Sequence, residues 1–303
     1  MGLGLLILNA NGDPSDECLS RVRSLFSGIM DRQGRPRIDF GHIDVGGIAY
    51  TALRMHELTG DGAYLALANR FGETLLATPG TEDGTIPYNS RNAYVLVDTV
   101  AFICPFLARL SRHTSDPTHA AIAVRQLDTM WHHGHAMSPW IQHGFRRDDL
   151  QAVGSCQWGR GLGWMILGLV DTLTELPVSP ERLALLTRTI SLLDGLTSAQ
   201  LSSGHFPLML DSIDTTPDSS LTAIVAYSLA RLKQAGLNHD DHYDVLLTSC
   251  RAALDASTWR DGRVFDCSSE AGGIAEYSSQ LGHHLWAQGP TVACDAILDH
   301  LSP

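Results

Sequence analysis

The chain has 303 residues, 44% of them hydrophobic, which is ample for a sizeable globular core. With 33 acidic against 21 basic residues and a net charge of −12, it is a poor partner for nucleic acid or an anionic membrane surface, and an acidic ligand would need a local cationic pocket. The six cysteines (Cys18, Cys104, Cys156, Cys250, Cys267 and Cys294) are scattered without a C-x-x-C pair, which argues against zinc and against a disulfide framework.

Residues 3–8 are apolar but very short, with no basic residue ahead of them and no convincing cleavage site after them. No signal peptide or membrane span is expected, and the protein is expected to be cytoplasmic. Residues 15–30 carry helical spacing, with Asp13 or Ser15 as the cap, and Gly34-Arg35-Pro36 breaks that helix. From Asp44 onward the pattern repeats. An apolar helix over 48–58, a turn at Thr59-Gly60-Asp61-Gly62 and an amphipathic helix over 63–76 make one αα-hairpin. The same grammar returns over 97–130, 164–193 and 221–254, each time with the more apolar helix first. A last helix over 284–301 is expected to be interrupted at Pro290. Only 205–208 and 262–265 read as short extended pieces.

Pairing an apolar helix with an amphipathic one, again and again, predicts two concentric layers. The expected fold is all-α, an (α/α)6 barrel occupying residues 1–303 as a single domain, because no linker-like run divides the chain. In such a ring the loops ahead of the inner helices open on one rim. Asp44 lies ahead of the first inner helix, Asp98 at the start of the second, His143 in the long loop before the third, and Trp158, Arg160 and Trp164 at its beginning. Two carboxylates on one rim can divide acid and base duties, particularly where burial raises one pKa. An aspartate at a helix start is ordinarily an N-cap, which is the competing account of Asp44, but Asp98 sits within an apolar run where an unpaired carboxylate is costly.

The densest chemistry lies in Cys156-Gln157-Trp158-Gly159-Arg160-Gly161-Leu162-Gly163-Trp164. Glycines let backbone approach a ligand, a guanidinium grips a carboxylate by two prongs, and indoles offer flat faces to sugar rings. The combination suggests an acidic carbohydrate, against the plainer alternative of a glycine-rich turn into a core helix.

These residues resemble the W-x-R-G-x-G-W signature of the unsaturated rhamnogalacturonyl and unsaturated glucuronyl hydrolases, glycoside hydrolase families 105 and 88. Val97-Asp98-Thr99-Val100 followed by Pro105-Phe106-Leu107-Ala108 is similar to the family's catalytic-aspartate segment. His143-Gly144-Phe145 resembles an H-G-aromatic motif, and Asp44 matches the family's other essential aspartate. Ser219-Ser220-Leu221-Thr222-Ala223 and Gln288-Gly289 extend the resemblance along most of the chain.

The resemblance implies an enzyme that removes a non-reducing-end 4,5-unsaturated uronic acid from small acidic oligosaccharides by hydrating its enol-ether double bond. It implies Asp98 as general acid and base and Asp44 beside it, with His143 and Arg160 binding the uronate, Trp158 and Trp164 as an aromatic wall, and no metal or organic cofactor. Leu162 departs from the Asn common in relatives. Arg146-Arg147-Asp148-Asp149 has no family counterpart and reads as a solvated patch with internal charge pairs. Two alternatives stay open, another α/α-barrel carbohydrate enzyme such as an inverting glycosidase or an epimerase, and a non-catalytic helical scaffold.

Overall fold

In the computed structural model the described residues are 16–89, 93–135, 140–155, 157–212, 216–237 and 240–301, and they contain ten helices. Residues 3–8, the caps Asp13 and Ser15, Cys156 and the turn residues Asn238 and His239 lie outside the described residues. Helix α1 is Asp16–Ile29, α2 Val45–Thr59, α3 Gly62–Ala77, α4 Val97–Thr114 and α5 Pro117–Gly134. Then come α6 Gly159–Glu175, α7 Pro180–Thr197, α8 Ser219–Gln234, α9 Asp241–Ala256 and α10 Leu285–Leu301.

Two layers follow from the side-chain patterns. Nearly every residue of α6 and α8 is buried, as suits a helix surrounded by protein. In α7 the buried set is Leu185, Thr189, Leu192, Leu193 and Leu196, a single stripe at helical spacing. Helices α2, α4, α6, α8 and α10 pack side by side in chain order, and α3, α5, α7 and α9 each pack on the helix before them. Phe26 of α1 lies edge-on to Tyr64 of α3 at 5.1 Å, which places α1 in the outer layer. This is the α/α barrel expected from the hairpin grammar, with five inner and five outer helices among the described residues.

Turn chemistry sets the outer helices. Asp61, Asp116, Ser179 and Asp240 each accept a backbone N–H from the first turn of α3, α5, α7 and α9, and Pro117 and Pro180 occupy the first turns of α5 and α7. The inner helices approach α4 closely through glycine. A Cβ on Gly46 of α2 would meet the Phe102 carbonyl oxygen at 2.3 Å, and one on Gly168 of α6 would meet the Val100 carbonyl carbon at 2.9 Å. Backbone contact on both flanks of α4, at Val100 and Phe102, holds α2 and α6 close against it within about a turn of Asp98.

The interruption expected at Pro290 does not occur. Helix α10 runs unbroken through it, as α4 does through Pro105, and both prolines are buried. Core packing there outweighs a helix-interior cost of roughly 3 kcal/mol. Small sheets also appear; the extended piece expected at 205–208 falls in one of them, while that at 262–265 supplies only a single bridge between Val264 and Thr258. Strands β1 Tyr94–Leu96, β2 Gly144–Arg146 and β3 Ala152–Val153 form one antiparallel sheet, with Leu96 opposite Gly144. Strand β4 Phe206–Pro207 pairs with β5 Pro217–Asp218, and β6 Cys267–Ser268 with β7 Leu281–Gly282.

The opposite ends of the inner helices carry a buried ionic network. Arg109 lies eleven residues, about 16 Å of helix, beyond Asp98. Its Nη2 donates to Glu57 Oε2 at 2.6 Å and its Nη1 to Glu175 Oε1 at 3.1 Å, while Tyr50 Oη donates to the same Glu175 oxygen at 2.8 Å. Nearby, Tyr227 Oη donates to Asp171 Oδ1 at 2.8 Å. Charge therefore closes one end of the barrel and the other end stays open.

Candidate active site

The open end holds a cavity of about 360 Å³. All six residues singled out from the sequence, Asp44, Asp98, His143, Trp158, Arg160 and Trp164, line it. Tyr88, Glu270 and Trp286 line it too, and sequence reasoning missed them.

Asp98 stands in the first turn of α4, whose N-terminus has no side-chain cap. Its side chain is 18% exposed, and Oδ2 is buried without a hydrogen-bond partner among the described residues. His143 Nε2 lies 3.6 Å from that oxygen, just beyond hydrogen-bond reach. The β1–β2 pairing brings the two together, because Val97 N donates to the His143 carbonyl at 2.8 Å. His143 Nδ1 is 3.2 Å from Tyr277 Oη, which itself accepts from Ser155 N at 2.9 Å. A Tyr277 hydroxyl donating to Nδ1 leaves the Nε2 hydrogen facing Asp98.

Asp44 occupies the N-cap position of α2, yet its side chain makes no capping hydrogen bond, so the ordinary account of this residue fails. Its Oδ2 sits 3.1 Å from His42 Nδ1 instead. Burial raises the Asp44 pKa, His42 opposes the rise, and the Asp98 and Glu270 carboxylates add to it. Burial, with Asp44, Asp98 and Glu270, also pushes the Tyr88 phenol well above its usual range.

The glycine-rich stretch is not a loop. Helix α6 begins at Gly159, with Trp158 as the residue before its first turn, so Arg160 and Gly161 are helical. The glycines serve packing rather than ligand approach. A Cβ on Gly161 would stand 2.6 Å from Trp158 Cε3, so only glycine there lets the indole fold back over the helix. Gly163 faces Ile224 of α8, and Leu162 is wholly buried, pointing to the core instead of the site. Trp158 is 2% exposed, stacked on Tyr277 at 4.8 Å and packed on His143 at 4.5 Å, while its Nε1 is buried without a partner among the described residues. Trp164 packs against Phe102 at 5.6 Å.

Arg160 is more anchored than the expectation of a free uronate clamp allows. Its Nη1 donates to the Ser268 carbonyl at 2.8 Å and to Ser268 Oγ at 2.7 Å, and its Nη2 donates to the Ser269 carbonyl at 2.8 Å. The guanidinium is held between Trp158 and Trp286, 5.0 and 4.9 Å from the ring centres. Burial lowers its pKa, and Asp218 counters that. Asp218 is fully buried, caps α8 through Ser220 N at 2.8 Å, and accepts from Ser268 Oγ at 2.7 Å. Thus Asp218, Ser268 and Arg160 form one hydrogen-bonded line behind the cavity.

Arg146 and Arg147 stay outside the cavity. Arg146 pairs with Asp148 at 2.7 Å and Asp149 at 3.4 Å, and Arg147 Nη2 donates to the Pro79 carbonyl at 2.9 Å, in keeping with a surface patch.

Carboxylates thus face an indole-walled cavity at the inner-helix starts of an α/α barrel. The model of Glycosyl Hydrolase Family 88 matches residues 6–294, and the chain belongs to that family. Among curated proteins it is similar to the unsaturated rhamnogalacturonyl hydrolase YesR of Bacillus subtilis, 23% identical over 245 residues, covering 76% of this chain and 67% of that protein. It is also similar to Protein Atu3128 of Agrobacterium fabrum, 32% identical over 102 residues and 33% of this chain; the match spans 44% of that relative, less than half its length. Among solved structures, a possible member of the GH105 family from Klebsiella pneumoniae superposes with a TM-score of 0.87 at 19% identity, over 99% of this chain and 81% of the other. The unsaturated glucuronyl hydrolase of Bacillus sp. GL1 superposes with a TM-score of 0.71 at 19% identity, over 99% and 84%.

Proposed function

We propose that this chain, acting as one barrel domain, removes a 4,5-unsaturated uronic acid from the non-reducing end of small acidic oligosaccharides. The observation that carries the reading is Asp98 on the cavity wall beside His143, with its Oδ2 buried and without a hydrogen-bond partner among the described residues. Such an oxygen is costly without a partner, and the partly exposed remainder of the carboxyl is what meets the cavity.

Protonated Asp98 delivers its proton to C4 of the enol ether, and the ring oxygen stabilises the positive charge that forms at C5. Water adds at C5 and returns a proton to the Asp98 carboxylate. The resulting hemiketal opens to a C5 ketone and leaves a hemiacetal at C1, which expels the remaining sugar. His143 orients Asp98, while Asp44, whose own proton affinity is raised, holds the substrate beside it. Trp158 and Trp164 provide the aromatic wall. Arg160 lines the cavity, and the N–H groups it does not give to Ser268 and Ser269 are the ones assigned to the uronate. Because the double bond rather than C1 is attacked, the separation of the carboxylates carries no stereochemical meaning.

We place this activity in the cytoplasm, a setting supported by the free thiols of Cys18, Cys104, Cys250, Cys267 and Cys294. No helix among the described residues is long and apolar enough to cross a membrane. Incubation with lyase-generated unsaturated oligosaccharides should abolish their enol ultraviolet absorbance. Absorbance that persists across both pectic and glycosaminoglycan products contradicts the proposal.

A further inference from the structure

Charge is distributed unevenly with depth in this cavity. Its floor is formed by His143 and Arg160, each 4% exposed, and by Trp158 at 2%. Its mouth is acidic, since the Asp44 side chain is 56% exposed and Glu270 is exposed as well. Among the described lining residues Arg160 is the only permanent cation, and most of its donors are already held by Ser268 and Ser269. His42 lies beside the mouth with its Nδ1 3.1 Å from Asp44 Oδ2.

Glu270 is also held in place by the backbone around it. Ser269 N donates to the Gln280 carbonyl at 2.9 Å, and Ser269 Oγ donates to Ser278 Oγ at 2.6 Å. Beyond Glu270, Gly272 N donates to the Glu276 carbonyl at 3.0 Å. Just before it, the Ser268 and Ser269 carbonyls receive the buried Arg160 guanidinium. A carboxylate on a segment tied at both ends has a defined position, and its charge reaches both Asp44 and Tyr88.

A terminal sugar entering a cavity closed at its floor puts its non-reducing end deepest and its leaving sugar at the mouth. We infer that Glu270 selects for a neutral leaving sugar, by accepting hydrogen bonds from its hydroxyls and repelling sulfate or carboxylate groups at the same position. This inference rests on the unsaturated-uronyl reading of the site. A sulfate several ångströms from Glu270 and Asp44, in the high dielectric of a cavity mouth, should reduce kcat/KM by about tenfold at low ionic strength.

The test compares two unsaturated disaccharides that share the terminal uronate, one with a neutral and one with a sulfated leaving sugar. The wild-type protein should favour the neutral substrate by about tenfold in kcat/KM, with the gap narrowing in added salt. Glu270→Gln should cut the preference to about twofold, mainly through KM of the sulfated substrate, and Glu270→Lys should reverse it. Equal turnover of both substrates by the wild type, or a preference unchanged in Glu270→Gln, overturns the inference and leaves the unsaturated-uronyl reading standing. Turnover of neither overturns both. Calorimetric titration of the Asp98→Asn protein provides a second readout, and equal affinity for the two disaccharides would count against Glu270 as the selecting group.

Discussion

Gly161→Ala probes how the signature stretch works. In an ordinary helix this change is stabilising by about 1 kcal/mol, because glycine is a poor helix former. Here the new Cβ would lie 2.6 Å from Trp158 Cε3 and 3.2 Å from Cζ3. The indole has no easy escape, since it is stacked on Tyr277 at 4.8 Å, packed on His143 at 4.5 Å and lies under the Arg160 guanidinium. Overpacking a site of this kind costs about 1–3 kcal/mol, so the net loss of stability should be about 0–2 kcal/mol, a fall of a few degrees at most in Tm for a chain of this size. Activity should suffer far more. Moving Trp158 moves His143, which orients Asp98, and a displacement of about 1 Å at a reacting group costs on the order of a hundredfold in rate. The assay is kcat/KM on an unsaturated disaccharide alongside thermal unfolding. Trp158→Phe, which removes the ring atoms that clash, should restore part of the stability in the double variant, a coupling that a double-mutant cycle reads directly. A Gly161→Ala protein with wild-type kcat/KM, or no coupling with Trp158→Phe, refutes the packing role given to this glycine.

Two further outcomes follow from the charged groups. Because the folded state raises the Asp44 pKa above its usual 3.8, ionised Asp44 opposes folding above that pH, and only weakly because its side chain is 56% exposed to screening solvent. Asp44→Asn should therefore melt above the wild type at pH 7, lose that advantage as the pH falls below about 4, and lose most activity throughout; equal melting temperatures at pH 7 would contradict the shift. Glu57 is the opposite case. Burial works against its ionisation, but hydrogen bonds and charge from Arg109, with His113 and Arg54, lower its pKa from 4.5 to about 2. Its stabilisation is present above pH 4.5 and fades as the pH falls toward 2, so Glu57→Ala should cost about 3 kcal/mol in urea unfolding at pH 7 and progressively less in acid. Its kcat should stay near wild type, since the network lies about 16 Å of helix from Asp98. A large kcat loss without destabilisation would show the network acting on the site.

The helical layers were legible because burial imposes a 3.6-residue period that sequence carries openly, as in Leu185, Leu192 and Leu196 of α7. Helix starts were harder. The signature glycines read as a turn, yet packing against α8 and the Trp158 ring keeps Gly159, Gly161 and Gly163 helical despite their propensity. Strands β1–β3 escaped notice because two or three residues are too few to show alternation, although β1 and β2 together set His143 beside Asp98. The six expected site residues converge because they precede or begin neighbouring inner helices. Tyr88, Glu270 and Tyr277 come from segments with no motif of their own, whereas Trp286 begins inner helix α10 and could have been found by the same rule. The first three reach the site through contacts far apart in the chain, such as Tyr277 with His143, or Ser268 with Arg160. Asp218 was hidden for a related reason, since it looks like any helix cap until Ser268 is seen on its other oxygen.

The central claim is that Asp98 protonates C4 of an enol ether instead of assisting attack at the anomeric carbon. Running the reaction in D2O and following the released uronic product by NMR tests this directly. Hydration through Asp98 predicts one solvent deuterium at C4, loss of the enol absorbance in step with product release, and neither event in Asp98→Asn. Release of an intact unsaturated uronic acid, with its C4 hydrogen and absorbance retained, would contradict the account.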